Sequence, residues 1–266
     1  MPEQSRTLRG ADRRRSASAR GLRRVNREPA EPTLITVISI ISAIVRPLTF
    51  RDWRGQEHIP RTGGVLLVAN HISNVDPIAV GQYVAFAGRW PRFLAKASLF
   101  RLPVLGRVVR ACGQIPVERG TGTAGQALRV AVEAIADGKA VFLYPEGTIT
   151  LDPDLWPMRA KSGAARIALE TGRSVIPIGQ WGAQDIMYGK QIHVPRLLPR
   201  KTFQVMAGPP VRLDDLRDRP TTPTLIAEAS DRIMDAITVL VSELRGETPP
   251  EHRLDPRVAE NRGKPT

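Results

Sequence analysis

From Arg51 onward, short continuous apolar blocks alternate with longer stretches whose apolar positions recur every three or four residues. The blocks at 65–69, 92–96, 114–117, 140–144, 175–179 and 203–207 have strand length and strand composition. The stretches at 77–87, 98–110, 123–137, 160–171 and 224–244 carry the helical period. Strands and helices in alternation predict an α/β fold: a single domain over 51–245, with a mostly parallel central sheet flanked by helices. In such sheets binding groups collect at the carboxyl ends of the strands. The polar segments 71–76, 118–119 and 146–148 each follow a predicted strand, so they are expected to face one cleft.

Upstream, residues 31–50 hold a different pattern, T-L-I-T-V-I-S-I-I-S-A-I-V. Its apolar run, 34–45, is well short of the roughly 20 residues that span a bilayer. Thr33, Thr36, Ser39 and Ser42 recur every three residues, which gives a helix a narrow small-polar strip and a broad oily face. Such a helix either caps the core or lies in a bilayer interface. Charge favours the interface. Residues 1–27 carry nine Arg against Glu3 and Asp12, a net +7 of the chain's +13. A basic arm beside an apolar helix supplies the two signals that stable membrane attachment needs. The 31–50 segment is therefore expected to be a membrane-associating helix. Residues 1–30 and the Pro-rich, charged tail at 246–266 are expected to be disordered. No apolar segment with a small-residue cleavage site suggests a secretory signal. The single cysteine, Cys112, excludes an internal disulfide and a multi-cysteine metal site.

Three polar segments carry candidate chemistry. V-A-N-H-I-S-N-V-D-P places His71 at the end of a predicted strand, with Asp76 before Pro77. Asp76 is a good N-cap for the helix Pro77 opens. It is equally a carboxylate able to hold an imidazole that accepts a hydroxyl proton. No G-x-S-x-G elbow occurs, so on the catalytic reading His71 would activate a substrate hydroxyl, not an enzyme one. V-F-L-Y-P-E-G-T-I-T ends a strand in Glu146, Gly147 and Thr148, and Arg159 and Lys161 further on would suit an anion such as phosphate. G-T-G-T-A-G at 120–125 has the outline of a dinucleotide fingerprint, but Glu118 and Arg119 stand where that motif needs a tight turn. A flexible loop leading into the next helix is the simpler reading.

Taken in order, these motifs resemble the glycerolipid acyltransferases of the 1-acylglycerol-3-phosphate acyltransferase type. N-H-I-S-N-V-D matches their His-x4-Asp block. K-A-S-L-F-R-L-P-V-L-G with G-Q-I-P-V-E-R matches the second, ending at Arg119. Y-P-E-G-T matches the third and V-I-P-I, residues 175–178, the fourth. The resemblance covers about residues 50–210. It implies acyl transfer from acyl-CoA or acyl carrier protein to the free hydroxyl of a lysophospholipid, with no metal or other cofactor. His71 would be the base and Asp76 its holder. Lys96, or nearby backbone N–H groups, would stabilise the oxyanion. Arg119, Glu146, Gly147 and Thr148 would bind the glycerol phosphate. The third block usually continues Glu-Gly-Thr-Arg-Ser, whereas here Ile149 and Thr150 follow. Either Arg159 or Lys161 compensates for the absent Arg, or the acceptor differs from lysophosphatidic acid.

The expected partners are thus an anionic membrane surface, the lysophospholipid and the acyl donor. The expected place is the cytoplasmic face of a plasma membrane, reached peripherally or monotopically. An Arg-over-Lys preference of 33 to 6 leans toward a bacterial source. A nucleic-acid-binding protein would explain the basic arm, but it leaves the His-x4-Asp and Pro-Glu-Gly-Thr blocks without purpose. Aromatic content of 5% is also thin for base stacking, so no nucleic-acid partner is expected.

Overall fold

The computed structural model describes residues 19–26, 28–118, 124–189 and 193–256. In chain order, helices α1 (Ala19–Val25) and α2 (Pro32–Leu48) precede strand β1 (Thr49–Arg54). Then come β2 (Val65–Ala69), α3 (Asp76–Ala87), β3 (Pro91–Lys96), α4 (Ala97–Phe100), α5 (Leu105–Ala111) and β4 (Ile115–Val117). The remainder is α6 (Ala124–Ala136), β5 (Ala140–Leu143), α7 (Gly163–Thr171), β6 (Val175–Trp181), β7 (Lys201–Ala207), α8 (Asp214–Arg217) and α9 (Pro223–Arg245).

The strands form one sheet in the order β1-β7-β6-β2-β5-β3-β4. Strands β2 to β6 are mutually parallel, β7 is antiparallel to β6, and β1 runs with β7. The α/β expectation therefore holds, with two strands reversed at one edge. Alternation along β2 feeds two cores. Leu66 and Val68 pack under α6, α7 and α9, while Val65, Leu67 and Ala69 pack under α3. Strands buried on both faces read as continuous apolar runs, which is why these were legible. By contrast, β1, T-F-R-D-W-R, is an edge strand with three charged residues, and its sequence reads as a loop.

Two predicted helices change shape. The expected helix at 98–110 breaks into α4 and α5 around Pro103, whose ring and missing N–H cannot continue it. The expected helix at 160–171 starts only at Gly163, and the N–H of Lys161 upstream of it bonds the carbonyl of Pro145.

The N-terminal region departs from expectation. Residues 1–18 lie outside the described residues, but from Ala19 onward the arm is structured. Leu22 of α1 is fully buried with Leu34, Ile35 and Ile38 of α2 against Phe86 and Trp90. Two buried arginines explain the order. Arg89 pairs with Glu28 at 2.6 Å and Arg92 with Glu31 at 2.5 Å. Taking a guanidinium from water is costly unless a carboxylate meets it, so this pairing ties residues 28–31 down. Helix α2 therefore caps the core with one face, while Ile40 and Ile44 on the other face are more than half exposed. The small-polar strip is split by packing: Ser42 is fully buried, whereas Thr36 is exposed. No described helix is long and apolar enough to cross a membrane. The tail is also partly packed: Arg159 N donates to the carbonyl of Leu254, and Arg253 meets Asp235 on α9.

Candidate active site

The chain leaves β2 at Asn70 and turns sharply before α3. His71, Ile72, Ser73 and Asp76 form that turn. Oδ2 of Asp76 accepts three hydrogen bonds: from Nδ1 of His71 at 2.8 Å, from the Ile72 N–H at 2.7 Å and from the Ser73 N–H at 2.9 Å. The N-cap expectation is corrected here. Asp76 is the first residue of α3, Val75 takes the cap position, and no side chain caps the helix. The carboxylate turns back and satisfies the preceding turn, with Asp76 fully buried.

That geometry settles the imidazole's tautomer. An ionised carboxylate only accepts, so Nδ1 carries the hydrogen and Nε2 keeps its lone pair. The ring stacks on Tyr144 with centroids 4.0 Å apart and planes 13° from parallel. Its backbone is clamped as well: the His71 N–H donates to Oε1 of Glu146 at 3.0 Å, and its carbonyl accepts from the Thr150 N–H at 2.7 Å. Ser73, two residues along the turn, is fully buried and donates to the Met187 carbonyl. The cluster thus holds an imidazole whose orientation is fixed by a buried carboxylate and a stacked ring.

Glu146 occupies an unexpected place. It is fully buried, and its second oxygen, Oε2, accepts from the Met158 N–H at 3.1 Å. Burial pushes its pKa up to about 8, against the lowering effect of those two backbone hydrogen bonds. Its carboxyl group ties the His71 turn to the 156–158 loop and has no exposed oxygen to offer a ligand. Gly147 follows at φ +70°, and a Cβ there would lie 2.9 Å from Cδ and 3.4 Å from Nζ of Lys161. The Lys161 side chain therefore runs along the third block. Ile149, in the family's Arg position, is only 5% exposed. Arg159 lies elsewhere, facing Asp255 of the tail at 3.5 Å. Thr148 is half-buried beside Gly147. Lys96 is exposed at the carboxyl end of β3, two strands from β2 and so about 10 Å across the sheet. Arg119 lies outside the described residues, as does 120–123 of the glycine-rich loop.

Two residues had no signal in the sequence. Asn70 and Gln180 lock together: Nδ2 of Asn70 donates to the Gln180 carbonyl at 3.0 Å, the Gln180 N–H to Oδ1 of Asn70 at 2.9 Å, and Nε2 of Gln180 to the Asn70 carbonyl at 2.8 Å. This lock joins β2 to β6 one residue before His71. Tyr144, whose ring underlies the imidazole, read only as the end of a strand.

At the end of β2 the α/β sheet presents a histidine held by a buried carboxylate, an arrangement chemically able to take a proton from a hydroxyl. The comparisons make this specific. A family profile described as Acyltransferase matches residues 51–181, just under half of the chain. The 1-acyl-sn-glycerol-3-phosphate acyltransferase of Borreliella burgdorferi is 33% identical over 125 residues, 47% of this chain and 48% of that protein. The N-acylphosphatidylethanolamine synthase of Arabidopsis thaliana is 28% identical over 56% of each chain. The chain thus spans about half the length of the curated relatives it matches. In fold it resembles the 1-acyl-sn-glycerophosphate (LPA) acyltransferase PlsC of Thermotoga maritima, with a TM-score of 0.58, 21% identity, and coverage of 80% of this chain and 82% of that one.

Proposed function

We propose that the chain moves a fatty acyl group from acyl-CoA or acyl carrier protein to the free hydroxyl of a lysophospholipid, with 1-acylglycerol-3-phosphate as acceptor and phosphatidic acid as product. One observation carries the reading: Nδ1 of His71 is held by buried Asp76 at 2.8 Å, leaving Nε2 to take a proton. The acceptor hydroxyl gives its proton to Nε2 as its oxygen attacks the thioester carbonyl. Asp76 stabilises the imidazolium that forms. The tetrahedral oxyanion collapses, the C–S bond breaks, and the imidazolium returns its proton to the leaving thiolate. Lys96 is the side chain proposed for the oxyanion, and Lys161 beside Gly147 for the acceptor's phosphate. Arg119 is proposed to join Lys161 there, with Gly147 and Thr148 shaping the pocket and Glu146 holding it. Helix α2 is proposed to rest on the cytoplasmic surface of a bacterial plasma membrane through Ile40 and Ile44.

A second acceptor is favoured by one observation. Ile149 is buried where the family's usual Arg would stand, so one phosphate ligand is missing and another lysolipid head group fits the site. The test is labelled acyl-CoA and acyl carrier protein offered with a panel of lysophospholipids, wild type beside His71→Ala. Transfer to lysophosphatidic acid, lost in the variant, supports the proposal. Full transfer by the variant, or none by the wild type, overturns it. Preference for another head group selects the second reading.

A further inference from the structure

Two segments far apart in sequence share a composition. Residues 32–51 contain no Asp or Glu, and neither do residues 186–213, the connection from β6 through β7 and beyond. The first holds Arg46 and Arg51; the second holds Arg196, Arg200, Lys201 and Arg212 among its basic residues. Both also expose large apolar side chains. Ile40, Ile44 and Phe50 are 54%, 57% and 52% exposed, and Tyr188, Val194 and Leu198 are 57%, 85% and 79% exposed. Residues 77–117 are also free of Asp and Glu and expose Leu102, Val104 and Leu105, so it is the contact between the two segments, not composition alone, that singles them out.

The fold brings these segments together. Nη2 of Arg200 donates to the Thr49 carbonyl at 2.9 Å, and its guanidinium lies over the Phe50 ring, 4.1 Å from the centroid. Leu197 packs in one cluster with Val45 of α2, Val75 of the catalytic turn and Ala79 of α3. The loop's inner end is stitched to the same turn: Ser73 donates to the Met187 carbonyl, Nδ2 of Asn74 to the Gly189 carbonyl at 3.3 Å, and Ser73 and Gly189 form a parallel bridge. The second segment is thus fastened on one side to α2 and on the other to the residues that hold His71.

We infer that the β6–β7 connection, through Tyr188, Val194 and Leu198, is a second bilayer-contacting element that docks with α2 on an anionic lipid surface and so sets the catalytic turn at that surface. This rests on the bilayer reading of α2 given above and extends it. Apolar side chains enter the boundary between headgroups and acyl chains while the arginines meet lipid phosphates. Charge selects the occupant. The two segments carry several cations and no carboxylate of their own, which suits an anionic bilayer, and they disfavour a second copy, because a two-fold contact would bring one basic surface against another. The consequence is functional: an acceptor lying in the membrane meets His71 without leaving it.

The experiment compares three proteins of full length: wild type, Ile40→Asp/Ile44→Asp in α2, and Val194→Asp/Leu198→Asp in the connection. Each is sedimented with vesicles of phosphatidylglycerol or of phosphatidylcholine. Each is also assayed with a membrane-borne lysophospholipid and with a short-chain, monomeric one. The altered positions are solvent-facing, and far-ultraviolet circular dichroism with thermal melting checks that all three fold alike. Ser replacements at 194 and 198 serve if the Asp pair does not fold. The expected result is a tenfold or greater loss of phosphatidylglycerol binding by the connection variant. Its activity on the vesicle-borne acceptor should fall in parallel, and its activity on the monomeric acceptor should stay within twofold. Wild-type binding by the connection variant, with loss only in the α2 variant, overturns the inference and leaves the α2 reading standing. Wild-type binding by both variants overturns the two together. Equal binding to phosphatidylcholine removes the charge argument. A change in oligomeric state with vesicle binding intact assigns the surface to a self-contact instead.

Discussion

Replacing Asp76 by Asn separates the charge of this carboxylate from its place in the turn. Oδ2 accepts from His71, Ile72 and Ser73, whereas Oδ1 is buried with no hydrogen-bond partner. An Asn side chain therefore has one sensible orientation, its oxygen where Oδ2 stands. The flipped amide would aim N–H donors at two backbone N–H groups. The turn and the Nδ1–H tautomer survive; the charge is lost, and the amide NH2 takes the partnerless place of Oδ1, which lowers stability while leaving the bond to His71 in place. A hydrogen bond to a charged group is worth roughly 1.5–3 kcal/mol net, against about 1 for a neutral one. The bond to His71 becomes charge-to-charge only when the ring is protonated in the transition state. The expected penalty there is about 1 kcal/mol, or roughly fivefold in kcat. The KM values for donor and acceptor should stay within twofold, since Asp76 is fully buried and touches neither. Asp76→Ala should be worse in both kcat and stability, because it also leaves the Ile72 and Ser73 N–H groups without their acceptor. Steady-state kinetics with both substrates varied, paired with urea titration, reads the two effects apart. If Asp76→Asn retained the wild-type kcat, the carboxylate would be only a turn-former and the mechanism would lose its orienting group.

Other consequences are equally direct. Asn70→Ala leaves the buried N–H and carbonyl of Gln180 unpaired, at about 1–3 kcal/mol each, whereas Gln180→Ala removes a single bond. Urea midpoints should rank wild type, Gln180→Ala, Asn70→Ala in falling stability, and an equal loss in both variants would contradict the lock. Glu146 has a folded pKa of about 8 against a model-compound value of 4.5. The folded state therefore holds a proton that the unfolded state has released, and stability present below pH 4.5 should drain away as pH rises toward 8. Thermal melts across that window should show a downward slope in wild type that flattens in Glu146→Gln; identical slopes would refute the assignment. Lys161→Ala should raise the KM of a phosphate-bearing acceptor about tenfold, while Arg159→Ala, whose residue faces Asp255, should stay within twofold. The opposite ranking in acceptor kinetics would show that Arg159 turns toward the third block.

Much of the molecule was legible before any coordinates. Strands buried on both faces announce themselves as apolar runs, and six strand positions followed from that alone. The His-x4-Asp spacing works because a five-residue separation is a local turn: His71 and Asp76 meet through one short loop whatever the rest of the chain does. Tertiary structure decided what local patterns do not encode. Contacts such as His71 with Glu146, or Asn70 with Gln180, join residues 75 and 110 positions apart, and nothing in either segment names its partner. The same holds for charge. Nothing in the sequence names Glu28 and Glu31 as the partners of Arg89 and Arg92, and that pairing orders a segment whose composition suggested disorder. Helix α2 shows both sides of the division. Sequence alone determined that it is apolar and too short to span a bilayer; only packing against α1 and α3 decided which face is core and which is left outside. A residue's neighbours in the chain set its conformation, and those brought to it by folding set whether its charge, its hydroxyl or its oily surface has a partner.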